Sequence, residues 1–407
     1  MDTQAIGNLT RRVKNLDPKK LGRNSFTYID IASIDRELKR IVSPQILSAA
    51  EAPSRARQQV EAGDILVSTV RPNLNAVARV GEEYNGEIAS TGFCVIRPDP
   101  VKLDSAYASY FVQTKDFVSR LTRIATGASY PAVTDDDVFE TEIPLLSLAE
   151  QRRIAALLAR ADRLRRLRRY ALEISAGYLQ AVFVEMFGDP MVANLDWECV
   201  TIEKIANKVT DGEHSTPRRA EAGIKLLSAR NIQNGYIDLE AELDYIPYDE
   251  YVRISKRCNP EYGDILISCS GSVGRVSTVH LRESLSMVRS VALIKPDFVR
   301  VNSKYLEQYL LTPYSQQMIR SSINQSSQAN LFIGQIANLP VLLPPLTLQE
   351  RFAAIAQRHE RLRAQQREAL RQAEQLFAAL LDKAFRGELT NQEMTLEDTK
   401  LEALHMH

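Results

Sequence analysis

Gly63-Asp64-Ile65-Leu66-Val67-Ser68 recurs as Gly263-Asp264-Ile265-Leu266-Ile267-Ser268, 200 residues further along the chain. Outward from this pair, Val95-Ile96-Arg97-Pro98 returns as Leu293-Ile294-Lys295-Pro296, and Tyr107–Thr114 returns as Tyr305–Thr312. Ile143-Pro144-Leu145-Leu146-Ser147-Leu148 returns as Leu343-Pro344-Pro345-Leu346-Thr347-Leu348. Four matches in one order, at offsets of 198–200, mark a tandem duplication rather than chance. In each copy a Gly-Asp turn precedes a short β-type run, and a Ser/Gly/Asn-rich loop follows it. The segments Tyr107–Arg120 and Lys304–Arg320 read as amphipathic helices. Each copy therefore opens with an α+β globule, over 1–146 and 189–346.

A long helix closes each copy. Ser147-x-x-Glu150 and Thr347-x-x-Glu350 read as capping boxes, in which the hydroxyl takes a first-turn N–H and the carboxylate reaches back to the cap. Gly188 and Gly387 supply the stops. Within the segments 147–188 and 347–388 the helices are expected to run for about 39 residues each, or roughly 58 Å at ~1.5 Å per residue. Phe352, Ile355, His359, Leu362, Gln366, Ala369, Ala373, Leu376 and Leu380 step by threes and fours, a heptad seam. Ile154, Leu157, Ala161, Leu164, Leu167, Ala171, Ile174 and Tyr178 follow a similar pattern. The expected solution is an antiparallel coiled coil of the two helices, because a globule joins the end of one to the start of the other. His359 and Gln366 then serve as polar seam residues that set register. Residues 389–407 read as an acidic, flexible tail.

The composition excludes several classes. Apolar residues make up 44% and charged residues 25% of 407, ordinary for a soluble globular chain. No apolar run is long enough to span a bilayer and no secretory signal region opens the chain, so a cytoplasmic location and no membrane partner are expected. Cys94, Cys199, Cys258 and Cys269 form no C-x-x-C pair and read as buried reduced thiols. Phosphate-loop, dinucleotide and metalloprotease motifs are missing. Asn259-Pro260-Glu261-Tyr262 resembles an amino-methyltransferase motif only faintly and reads as a turn. Asp135-Asp136-Asp137 reads as a helix start rather than a metal cluster, so no metal site is expected. Fifty-one basic residues balance 51 acidic ones. The balance is uneven along the chain: residues 147–188 carry 8 basic against 4 acidic residues, and 388–407 carry 1 against 5. Zero net charge thus does not exclude a nucleic-acid partner.

Two α+β globules, each followed by a long capped helix, resemble the specificity subunit of type I restriction–modification systems. The resemblance rests on the two helix starts, Ile143–Ile154 and Leu343–Phe352, on the repeated Gly-Asp-Ile-Leu segments, and on Trp197–Pro217. The last stretch looks like the opening of a target-recognition domain. The first half lacks this Trp-led opening and begins with the basic Thr10-Arg11-Arg12-Val13-Lys14. The resemblance implies a pseudo-two-fold arrangement of two target-recognition domains separated by paired helices. It implies a non-catalytic subunit that reads one half of a bipartite, asymmetric site in double-stranded DNA with each globule. The helices would fix the spacer and dock two methyltransferase subunits, and restriction–translocase subunits would join. S-adenosylmethionine, ATP and Mg would belong to those partners, leaving this chain without a cofactor. Half-sites one helical turn apart lie ~34–36 Å from each other, within reach of such a helix pair.

Base edges are read by side chains such as Arg, Asn, Gln and Ser. The candidates are Arg71, Asn73 and Asn75, with Ser129 and Tyr130 from the Thr126–Pro131 loop. In the second half they are Ser270, Ser272 and Arg275, with Gln325, Gln328 and Asn330. His214, Arg218 and Arg219 are candidates in the Trp-led opening. Arg152, Arg153, Arg160, Arg163, Arg165, Arg166, Arg168 and Arg169 crowd the first long helix, either as a solvated face or as a contact for phosphates or an acidic partner. A scaffold displaying two ligand modules without DNA is the alternative reading.

Overall fold

The computed structural model describes residues 2–20, 22–191, 197–323 and 330–389. Among them the helices are α1 (Ser105–Phe111), α2 (Lys115–Ile124), α3 (Asp135–Phe139), α4 (Leu148–Ser175) and α5 (Tyr178–Phe187). They continue with α6 (Tyr248–Ser255), α7 (Ser303–Leu310), α8 (Pro313–Ser322), α9 (Ile333–Ala337) and α10 (Leu346–Arg386). No described helix is long and apolar enough to cross a membrane. By their contacts the described residues fall into two compact units, one of 1–171 with 366–389 and one of 172–365.

In the first unit the run Ile65–Ser68 lies between the strands Phe93–Pro98 and Val77–Arg79, antiparallel to both. All four residues are buried, because the sheet is covered on both faces. Ile65 and Val67 pack toward α1, α2 and the long helices, while Leu66 packs with Ile29, Val60 and Ala78 on the other side. A second four-stranded sheet carries Ser25–Ile29 parallel to Ile88–Ser90. The second unit repeats this plan with Ile265–Ser268 between Val291–Pro296 and Val276–Thr278. Its Ile224–Leu227 runs parallel to Leu285–Met287.

The repeated motifs prove to be partners of one another. Gly63 and Gly263 both turn with φ +91°, in the left-handed region that favours glycine. Asp64 accepts the Glu61 N–H at 2.8 Å and two Arg97 N–H groups at 2.9 and 2.8 Å. Asp264 accepts the Glu261 N–H at 2.8 Å and the Lys295 ammonium at 2.6 Å. The aspartate of the first repeated motif thus binds the cation of the second, which closes the sheet's corner. Tyr107 donates to the Pro144 carbonyl at 3.2 Å, and Tyr305 donates to that of Leu342.

A buried glutamine ties each globule to its long helix. Gln151 donates to the Lys102 and Leu146 carbonyls and accepts the Asp104 N–H at 2.7 Å. Gln349 does the same with Arg300, Pro344 and the Asn302 N–H. These contacts align the helices at an offset of 198, whereas the Pro-Leu similarity suggests 200. The shift explains a correction. Ser147 and Glu150 form the expected capping box, with Ser147 N–H donating to Glu150 at 3.2 Å and Glu150 N–H to Ser147 Oγ at 3.3 Å. The counterpart of Ser147 is Pro345, not Thr347. α10 starts one residue before Thr347, and the Pro345 carbonyl takes the Leu348 and Gln349 N–H groups.

Four further expectations change. Tyr107–Arg120 and Lys304–Arg320 are each two helices, because Thr114 and Thr312 end one and cap the next. Pro313, at the first position of α8, has no N–H to continue α7. The first long helix is interrupted at Ala176-Gly177, where glycine's backbone freedom disfavours the helix by about 1 kcal/mol. Three of the four cysteines are buried free thiols, but Cys199 is exposed on the strand Glu198–Thr201. Finally, the first half does possess the opening strand. Thr3–Ala5 pairs antiparallel with Glu142–Pro144, as Glu198–Thr201 pairs with Pro340–Leu343.

Within each unit the helix segments run in opposite directions along one another. In the first, Arg165 stacks 4.0 Å over Phe377 and Arg169 pairs with Glu374 at 2.7 Å. In the second, His359 packs on Tyr178 with ring centroids 5.1 Å apart, and Phe183 and Phe187 each lie 5.5 Å from Phe352. His359 Nε2–H donates to the Ser175 carbonyl at 3.0 Å, at the helix interruption.

Candidate nucleic-acid interface

The first-unit loop is built on strained backbone. Arg71 (φ +50°) and Asn75 (φ +45°) are left-handed non-glycine residues flanking the turn Pro72–Leu74. Such conformations persist where surrounding contacts impose them, and they concentrate at functional sites. Here the contacts are visible. Arg71 N–H donates to the Pro131 carbonyl at 2.7 Å, and Val70 bridges Ala132. The Arg71 guanidinium lies 4.6 Å over the Tyr130 ring and donates to the Ser129 carbonyl at 3.4 Å. Arg71, Ser129 and Tyr130 thus form one exposed cluster from two loops, with Tyr130 68% exposed. Asn73 is exposed beside it. Asn75 is turned inward at its backbone, where its carbonyl accepts the Lys39 ammonium at 2.7 Å.

The second-unit loop occupies the corresponding place. Ser270 bridges Asn330, and Leu331 N–H donates to the Cys269 carbonyl at 2.9 Å. Ser268 Oγ accepts the Arg275 N–H at 2.9 Å and donates to the Ser272 carbonyl, which folds this loop back on its strand. Gln325 and Gln328 lie outside the described residues.

His214, Arg218 and Arg219 are exposed but engaged. His214 Nε2 lies 2.7 Å from Asp211, Arg218 pairs with Asp249, and Arg219 pairs with Asp244 at 3.1 Å. Arg253 meets Glu213 at 3.5 Å and Glu250 at 2.9 Å, and Arg257 meets Asp211. The Ser215 hydroxyl, then the nearby arginines, hold the Glu213 carboxyl below the usual range. These carboxylates compete with an incoming phosphate or base edge for the three candidates.

The arginine run on α4 is neither one bare basic stripe nor one solvated face. Arg165 and Arg166 converge on the buried Asp162, and Arg169 lies between Glu37 and Glu374. Arg153 and Arg163 are exposed. The Asp135 triplet starts α3, where Asp137 closes a capping box with Thr134. Those hydrogen bonds hold the Asp137 carboxyl below its ordinary range.

Two features carried no sequence signal. Lys39 reaches the Arg71–Asn75 loop from a hairpin remote in sequence. A partly buried cluster joins α7 to α10, with the buried Lys304 ammonium between the buried Glu307 and the partly exposed Glu360 and 3.4 Å from the exposed His280. His280, Glu307 and Glu360 place ligand-type atoms within 4.8 Å of one another, a set that suits a metal by residue type. The ammonium already supplies the positive charge between the carboxylates. Glu307 and Glu360 stand far apart in sequence, so no local pattern announces the cluster.

The comparisons with known proteins agree with this architecture. The type I restriction modification DNA specificity domain family matches residues 28–173 and 194–372. The EcoKI specificity subunit of Escherichia coli strain K12 is 24% identical over 365 residues, covering 82% of this chain and 76% of that protein. The EcoBI specificity subunit of Escherichia coli is 26% identical over 294 residues, covering 62% of this chain, and the chain spans only 59% of that relative's length. A chain from a solved structure concerning complex assembly and conformational transition of the type I R-M system is 28% identical. Its TM-score is 0.62, over 95% of this chain and 98% of that one. The S subunit of a type I system from M. genitalium, 16% identical with a TM-score of 0.57, shares the fold. With both repeats matched and each built on the same corner and glutamine clamp, the chain belongs to the type I restriction modification DNA specificity domain family.

Proposed function

We propose that this chain is the non-catalytic DNA-specificity subunit of a type I restriction–modification complex. Each unit reads one half of a bipartite, asymmetric duplex site. One observation carries the reading: the two units share their scaffold contacts, while the loops on equivalent bridges differ in chemistry. The first presents Arg71 and Asn73 beside Tyr130, and the second presents Ser270 and Ser272 beside Asn330. A common frame with unlike loops suits two different half-sites. Arg pairs with guanine and Asn with adenine in the major groove, at about 1–3 kcal/mol of discrimination per good pair.

The long helices act as a coiled-coil ruler for the spacer and as the dock for two methyltransferase subunits, with restriction–translocase subunits joining. The near-neutral charge leaves much of the phosphate attraction to those partners. Methylation mapping in cells expressing the chain with its methyltransferase partner tests the reading. One bipartite motif with unlike halves is expected, and a single continuous motif contradicts it. A scaffold that binds no DNA yields no motif at all.

A further inference from the structure

The hairpin of the first unit pairs Ile34-Asp35 with Arg40-Ile41 and closes with Lys39 N–H donating to the Asp35 carbonyl at 2.8 Å. Lys39 has φ +54°. The corresponding hairpin of the second unit, Ile232-Gln233 with Tyr236-Ile237, has Gly235 (φ +85°) in its turn. A lysine therefore stands in left-handed backbone where the other repeat uses glycine. The side chain reaches the reading loop and donates one of its three N–H groups to the Asn75 carbonyl. Glu37 of the same hairpin pairs with Arg169 of α4 at 3.1 Å, so the hairpin bridges the reading loop and the arginine-rich helix.

The Lys39 ammonium bonds a carbonyl and has no carboxylate within ion-pair distance among the described residues. Arg165 of α4 and Arg36 of the hairpin repel its charge, and Asp35 of the same hairpin opposes them. Asp162 is committed to Arg165 and Arg166, and Glu37 and Glu374 are committed to Arg169. Arg36 is exposed, with no ion pair among the described residues. Burial, then Arg165 and Arg36, bring the Lys39 ammonium down to about 8. A cation in this state gains most from an incoming anion with oxygen acceptors.

We propose that Lys39 and Arg36 bind a phosphodiester of the DNA backbone beside the Arg71–Asn75 loop, fixing the position of the first unit on the duplex. The site rests on the DNA reading above and takes no part in choosing bases.

The test is duplex binding by the chain in complex with its methyltransferase partner, measured with an arbitrary sequence of about 30 bp between about 50 and about 200 mM salt. Lys39→Ala should lower the slope of log affinity against log salt by about 1, as one lost phosphate contact requires. Lys39→Arg should keep the slope. The wild type should bind several-fold more weakly as the pH rises through about 8, whereas Lys39→Arg should not. If the wild type binds with a salt-dependent slope that Lys39→Ala leaves unchanged, the phosphate site is refuted and the DNA reading stands. A Lys39→Ala variant that changes the methylated motif but not the slope also overturns it, by making Lys39 a positioning residue for the loop. If the wild type shows no salt-dependent duplex binding, both proposals fall.

Discussion

His359 shows how a single residue couples two elements. Its Nε2–H satisfies the Ser175 carbonyl, while Nδ1 is buried with no partner. The ring is therefore neutral, and burial lowers its pKa from the ordinary 6.5. The unfolded chain then binds more protons than the folded one just below that value. Stability is full above pH ~6.5 and declines as the pH falls toward the folded-state pKa. His280, lowered mainly by burial and then by Lys304, acts in the same sense. Thermal unfolding followed from about pH 7.5 to about pH 5.5 should show a shallower acid loss in His359→Gln than in the wild type. Equal slopes would mean that His359 is protonated equally in both states. A seam residue on the heptad pattern was legible as polar, but its partner was not, because nothing in the sequence places a carbonyl of one helix opposite a ring of another.

At the scale of elements, the strands were legible because Gly-Asp turns and continuous apolar runs are local signals. The corner they form was legible only as two separate repeats. That Asp64 meets Arg97, and Asp264 meets Lys295, is a tertiary fact. The Pro-Leu similarity sets the two helix starts two residues out of register, since it follows composition while the buried Gln151 and Gln349 follow geometry. The candidate loops follow the Gly-Asp strands, a placement that local turn signals make legible. The left-handed Arg71, Asn75 and Lys39 were not legible, because a non-glycine residue leaves no trace of positive φ in its identity. The break between α4 and α5 rests on a glycine with open space around it: nothing lies within 4 Å of a Cβ placed on Gly177, and its φ of −86° suits any residue. Gly177→Ala should therefore stabilise the protein by about 0.5–1 kcal/mol, mostly by restricting the unfolded chain. Chemical denaturation reads this directly, and a destabilised variant would show that contacts of the turn itself hold the helix interruption.

For the whole molecule, the central claim is a division of labour. One frame is built twice, from a Gly-Asp corner, a glutamine clamp and an aromatic contact between each globule and a helix end. In the first unit Tyr107 lies 4.9 Å from Phe385, and in the second Tyr305 lies 4.9 Å from Phe187. The repeats specify that frame, and under the proposed function their unlike loops choose the bases. A substitution confined to one loop must then change one half of the recognised site alone. The most direct measurement is the methylated motif of cells carrying Arg71→Ala with Asn73→Ala, compared with the wild type. Altered or relaxed bases in one half, with the other half and the spacer unchanged, is the result predicted. A change in both halves together would contradict the assignment of one unit to each half-site.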